Sequence, residues 1–156
     1  MVMVALAEPQ NVDALAVLFE EMDRHYGSTE FEPFDQRVAQ IRDALFGEVP
    51  AASALLAWHE AHLVGVASYS FLWPAIGVTR SLYLKELYVT QDWQRQGIGK
   101  LLMNSLLAVA AEHACSRVEW TTDRESEGAQ RFYATLGVPV NEGKLFYRVE
   151  LGDGSN

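Results

Sequence analysis

The sequence predicts one mixed α/β domain, and three observations predict it. Apolar residues recur at helical spacing near the start (Leu15, Leu18, Phe19, Met22), give way to β-rich apolar runs between residues 54 and 89, and return to helical spacing after residue 97. With 156 residues, 49% hydrophobic and 21% charged, the chain is long and apolar enough to bury a core. No internal repeat, low-complexity tract or Pro/Ser-rich linker divides it, so residues 1–156 are expected to form a single domain.

The elements follow in the order β-αα-βββ-α-β-α-β. The apolar opening Met1–Ala7 ends at Glu8-Pro9 and lacks a basic flank, which makes it a first strand, not a signal peptide. A helix is expected over 11–26, with Asn11 or Asp13 as its cap. The turn-like Gly27–Pro33 leads to a second helix near 35–46, with Val38, Ile41, Leu45 and Phe46 on one side, closed by Gly47 and Pro50. Ala54–Trp58 and Leu63–Phe71 read as strands around the short turn His59–His62. A loop with Trp73-Pro74 and Gly77 precedes a further strand, Ser81–Val89. A long helix from about 97 to 114 carries the stripe Leu102, Leu106, Val109 and Ala110. Arg117–Thr121 is a short strand, Ser126–Leu136 a helix ended by Gly137, Leu145–Leu151 a last strand, and Gly152–Asn156 a loose tail.

Composition narrows the function. No apolar run approaches the roughly 20 residues of a membrane span. The single Cys115 forms no internal disulfide and fits a reducing compartment, so the cytoplasm is the expected location. Twelve basic against 21 acidic residues, a net charge of −9, argue against a nucleic-acid partner. Residues 1–50 hold ten acids against Arg24, Arg37 and Arg42, a net of −7. A solvated helical surface accounts for this excess; steering of a cationic substrate is the functional alternative. His59-x-x-His62 sits in a hairpin turn with no Cys, His or carboxylate pattern to complete it, so no metal is expected. Cys115 reads as a small buried hydrophobe and the four tryptophans as packing residues, with a border on the substrate pocket as the alternative for Trp73 and Trp93, in loops that flank the site.

The segment that points to chemistry is Gln94-Arg95-Gln96-Gly97-Ile98-Gly99-Lys100, between a strand and an amphipathic helix. Its glycines let backbone approach a ligand closely, and the free N–H groups of a first helical turn, with the positive end of the helix dipole, suit a pyrophosphate. Arg95 and Lys100 add charge. A dinucleotide fingerprint requires glycine where Leu102 stands, and a phosphate-binding Walker loop requires glycine at Gln94 and Ser or Thr at Leu101, so both rivals fail. A tight turn with no ligand is the remaining structural reading.

The run Leu87-Tyr88-Val89 followed by Gln94–Gly99, and the later Ala129-Gln-Arg-Phe132-Tyr133-Ala-Thr-Leu136-Gly137, resemble the two landmarks of the GNAT superfamily of N-acetyltransferases, and the likeness extends over nearly the whole chain. The resemblance implies a mixed, mostly antiparallel twisted sheet flanked by helices, with acetyl-CoA as acetyl donor. It assigns cofactor contacts to Leu87, Tyr88, Val89, Gln94, Arg95, Gln96, Gly97, Ile98, Gly99, Lys100, Ser126 and Tyr133. Tyr69–Phe71 and Leu82–Val89 are similar to the diamine (spermidine/spermine) acetyltransferase branch, which implies a homodimer.

In such enzymes a neutral amine attacks the thioester directly. An amine with a pKa near 10.4 is almost wholly protonated at pH 7, and neutralising it costs roughly 4–5 kcal/mol. Glu86 is the candidate base, with an ordinary ion-pair role as the alternative. A backbone N–H near a strand bulge at Leu87–Val89 is expected to meet the oxyanion, and Tyr133 to protonate the leaving thiolate. Ser126 stands where the family often has Asn, so a contact to the pantetheine arm rests on a different side chain, although Ser126 suits a helix cap. The diamine branch tends to carry two adjacent acids where this chain has Lys85-Glu86. Lys85 repels a polyamine and suits a substrate with one amine and a carboxylate. Small-molecule amines are therefore the expected acceptors; an idle acyl-CoA-binding module and a protein-lysine acetyltransferase are the alternatives.

Overall fold

The computed structural model describes residues 1–152, which fall into two compact units, Met1–Thr121 and the described residues from Thr122 on. The first unit is a five-stranded sheet in the order β1 (Val2–Leu6), β2 (Ser53–His59), β3 (His62–Leu72), β4 (Arg80–Val89) and β5 (Cys115–Glu119). Pairing is antiparallel throughout except between β4 and β5, which run parallel because a helix, α3 (Ile98–Glu112), carries the chain between them. The mixed, mostly antiparallel sheet with flanking helices predicted from the sequence is what forms.

Side-chain alternation divides the core. Ala54, Leu56, Val66 and Tyr88 project to one face, where Leu15, Leu18 and Met22 of α1 (Val12–His25) cover them. Ile41, Leu45 and Phe46 of α2 (Phe34–Phe46) pack against the same cluster. The opposite face takes α3, whose Leu102, Met103 and Leu106 are buried to 2% exposure or less. The contact is close at Gly65 of β3: a Cβ there would stand 3.1 Å from a Leu102 methyl, 3.4 Å from Ile98 and 3.3 Å from the Tyr88 carbonyl oxygen. Glycine thus lets the sheet meet the start of α3.

The second unit contains α4 (Glu127–Thr135), ended by Gly137 at φ +78°. Two sequence expectations fail at helix starts. Asn11 stands at the N-cap of α1, but its Oδ1 accepts from the Glu8 N–H at 2.8 Å, closing the turn before the helix. Ser126 stands at the N-cap of α4 with no side-chain cap bond. A third failure is the last strand. Residues 145–151 form no strand, and Leu145, Phe146, Tyr147, Val149 and Leu151 are 65–85% exposed. Apolar alternation supplies a face, but a strand exists only where a neighbouring edge accepts its ladder bonds. The expected loose tail lies outside the described residues beyond Gly152. Among the described residues no helix is long and apolar enough to cross a membrane.

Candidate active site

Strand β4 has two neighbours that leave it at different points. On the β5 side the parallel ladder ends at Tyr83 opposite Glu119. On the β3 side pairing continues from Glu86 opposite Ser68 to Val89 opposite Gly65, and the Thr90 N–H donates to the Val64 carbonyl at 2.9 Å. In an antiparallel ladder alternate residues exchange both backbone bonds with the partner. Since Thr90 bonds to β3, Tyr88 and Glu86 do too, and Leu87 and Val89 turn their N–H and C=O toward the edge that β5 has left. The Val89 carbonyl accepts the Gln94 side-chain amide at 2.9 Å.

The bulge is not where the sequence reading put it. Register breaks between Leu84 and Glu86, opposite Tyr69 and Ser68, so the extra residue is Lys85, whereas pairing through Leu87–Val89 is regular. Ordinary alternation, not a bulge, turns Leu87 and Val89 outward. Lys85 is exposed, and Glu86 is half-buried on the strand face it shares with Tyr88, toward α1.

Beyond β4 a 3₁₀ turn at Gln91–Trp93 leads into the glycine loop. The His59 ring lies 4.5 Å from that of Trp93, so the β2–β3 turn supports this segment. Gln96 Nε2 donates to the Asp92 carbonyl at 3.3 Å. Arg95 and Gly97 adopt positive φ, +62° and +81°, and Gly97 is the N-cap of α3. A Cβ on Gly97 would meet nothing within 4 Å, so its backbone is open to approach. The Leu101 N–H makes the helical bond to the Gly97 carbonyl at 3.0 Å, and the N–H groups of Ile98, Gly99 and Lys100 precede that first bond. The Ile98 side chain is 3% exposed and faces the core, so Ile98 offers a ligand only its backbone. Arg95 and Lys100 are exposed at the same helix start. Free N–H groups, an open glycine and two cations suit an anion.

Sequence reasoning missed Glu21. Its carboxylate accepts from the Tyr88 hydroxyl at 2.6 Å with one oxygen and from the Thr90 hydroxyl at 2.8 Å with the other. Burial first, and then this carboxylate, hold the Tyr88 phenol above its ordinary range, which keeps it a neutral donor. In the α1–α2 region the buried Arg37 guanidinium pairs with Asp23 and, at 2.8 Å, with Glu32. Part of the acidic excess in residues 1–50 is therefore structural.

In the second unit, Tyr133 is half-buried on α4, its ring centroid 5.2 Å from that of Phe132 in an edge-on arrangement. Among the described residues no group of three His, Cys, Asp or Glu is placed to hold a metal ion.

The model of the acetyltransferase (GNAT) family matches residues 15–138, from α1 through the end of α4. The chain belongs to the GNAT acetyltransferase family. An N-acetyltransferase of Mycobacterium tuberculosis is 30% identical over 112 residues, 72% of this chain and 69% of that one. Thialysine N-epsilon-acetyltransferase of Mus musculus is 28% identical over 136 residues, 78% of this chain and 79% of that one. Among solved structures, an integron cassette protein from the mobile metagenome of V. cholerae superposes with a TM-score of 0.89 at 26% identity, covering 98% of this chain and 94% of that one. This GNAT protein is an acetyl-CoA-dependent N-acetyltransferase.

Proposed function

We propose that this acetyltransferase acetylates the distal amine of a small amino-acid-like molecule, with the reaction at the free edge of β4. The observation that carries the reading is the pair Leu87 and Val89, whose N–H groups face the edge beyond the end of β5, one short loop before the open start of α3. The backbone N–H groups of Gly97–Lys100, with Arg95 and Lys100, would hold the cofactor's phosphates, and the Leu87–Val89 edge its acyl end. Acetyl-CoA supplies an activated acetyl group on a thiol leaving group.

The residues then divide the work. Glu86 takes the proton from the incoming ammonium. The N–H dipoles of Leu87 and Val89 are fixed in advance where negative charge grows on a carbonyl oxygen, so little reorganisation opposes them. Tyr133, a neutral phenol in the second family landmark, holds the proton that a departing thiolate needs. The family match crosses from one compact unit into the other, which supports treating the chain as one catalytic domain.

The acceptor class rests on Lys85. An exposed cation beside Glu86 disfavours a polyamine, which carries only positive charge, and favours a molecule with an amine and a carboxylate. The name of the mouse relative, with its lysine-like substrate, points the same way. The diamine-like branch is thus kept for architecture, including the expected cytoplasmic homodimer, and set aside for substrate. Incubation with acetyl-CoA and a panel of thialysine, lysine, ornithine, spermidine and aminoglycosides, read by product mass, tests this. Mono-acetylated amino acids should form fastest; faster acetylation of spermidine would sink the acceptor assignment.

A further inference from the structure

Glu21 belongs to α1, yet both of its carboxylate oxygens are committed to the end of β4. Tyr88 and Thr90 both bond to β3 through their backbones, and they alternate with Leu87 and Val89, whose backbones face the free edge. A fork that grips Tyr88 and Thr90 therefore sets the rotation of the peptide groups between and beside them. The helix that carries the fork is itself fixed, because Leu15, Leu18 and Met22 are buried in one cluster with Val66 and Tyr88. Tyr88 is only 4% exposed, so its hydroxyl has little access to water as a substitute acceptor. The grip falls on the last turn of chain before the glycine loop.

We infer that Glu21 is a positioning residue: through Tyr88 and Thr90 it aims the Leu87 and Val89 N–H groups at the reacting carbonyl. The inference rests on the proposed reaction edge, and its consequence is specific. Loosening the fork should impair stabilisation that develops during reaction more than it impairs cofactor binding, which the start of α3 provides.

The test is a double-mutant cycle of Glu21→Gln against Thr90→Val, with Arg37→Met as a control that loosens α1 and α2 elsewhere. Glu21→Gln should lower kcat about tenfold at saturating acetyl-CoA, leave KM for acetyl-CoA within about threefold, and speed amide exchange of Tyr88 and Thr90 without speeding that of Leu56. In the Thr90→Val background the same substitution should do less, since one arm of the fork is already gone. Arg37→Met should lower Tm and leave kcat alone. If Glu21→Gln lowers Tm but leaves kcat and the Tyr88 and Thr90 amides unchanged, Glu21 only braces the fold and the inference is wrong. Should Glu21→Gln fail to fold, Thr90→Val alone carries the same kcat and exchange readings. Amide exchange does not require turnover, so a wild-type enzyme inactive on every amine would overturn the proposed acceptor while the Tyr88 and Thr90 amides still judged Glu21.

Discussion

The side-chain amide of Gln94 donates to the Val89 carbonyl across 2.9 Å, tying the first residue of the glycine loop to the last residue of β4. This bond occupies an outward carbonyl at the reaction edge and anchors the loop that leads to α3. Gln94→Ala should cost about 1 kcal/mol of that anchoring. The corresponding weakening is about fivefold in CoA affinity, measured by calorimetry, with little change in Tm because the Val89 carbonyl, at the free edge, is then left to water.

Gly97 tests the loop in a different way. Its φ of +81° lies in the left-handed region, and the space above it is open. Gly97→Ala should cost about 1–2 kcal/mol in backbone strain with no clash inside the protein, or about 2–8 °C in Tm. The new methyl projects where a ligand would approach, so CoA affinity should fall by more than in Gln94→Ala. Equal losses in the two variants would place the phosphates elsewhere.

Arg37 is 7% exposed, whereas the side chains of Asp23 and Glu32 are 38% and 41% exposed. Removing the arginine leaves two carboxylates that can rehydrate, so Arg37→Met should cost about 2 kcal/mol, below the 3–5 of a fully buried broken pair. Its backbone bond first, and then Arg37, hold the Glu32 carboxyl below its ordinary range. A lowered acid stabilises the fold above the unfolded carboxyl's pKa, and that contribution disappears as pH falls through the folded one. The denaturation midpoint should therefore drop below about pH 4.5, and the gap between wild type and Arg37→Met should narrow there.

Tyr88 makes the alkaline counterpart. Its raised phenol favours the neutral form in the fold, so its contribution is complete below the unfolded tyrosine's pKa near 10 and declines as pH rises above it. Urea midpoints between pH 9 and 11 should decline, and Tyr88→Phe should flatten that decline.

Features written in backbone terms were legible in the sequence. The turn from β4 into α3 needs glycine at Gly97 and apolar stripes on both sides, and all of these are local. What depended on a distant partner was not legible. Glu21 meets Tyr88 across 67 positions, and in the sequence it is one acid among ten in an acidic stretch. Gly65 looked like any strand glycine until α3 packed on it. Residues 145–151 have the alternation of a strand, but alternation does not name the edge that must receive it. Asn11 had the chemistry of a cap, and the nearer Glu8 N–H took its oxygen. The Lys85 bulge was missed by a few residues because a bulge shows only when two strands are set side by side.

The most direct measurement is a titration of CoA into isotopically labelled protein, followed by backbone amide resonances. Leu87, Val89, Gly97, Gly99 and Lys100 should shift together and saturate with one affinity. Shifts confined to residues away from the β4 edge and the start of α3 would contradict this.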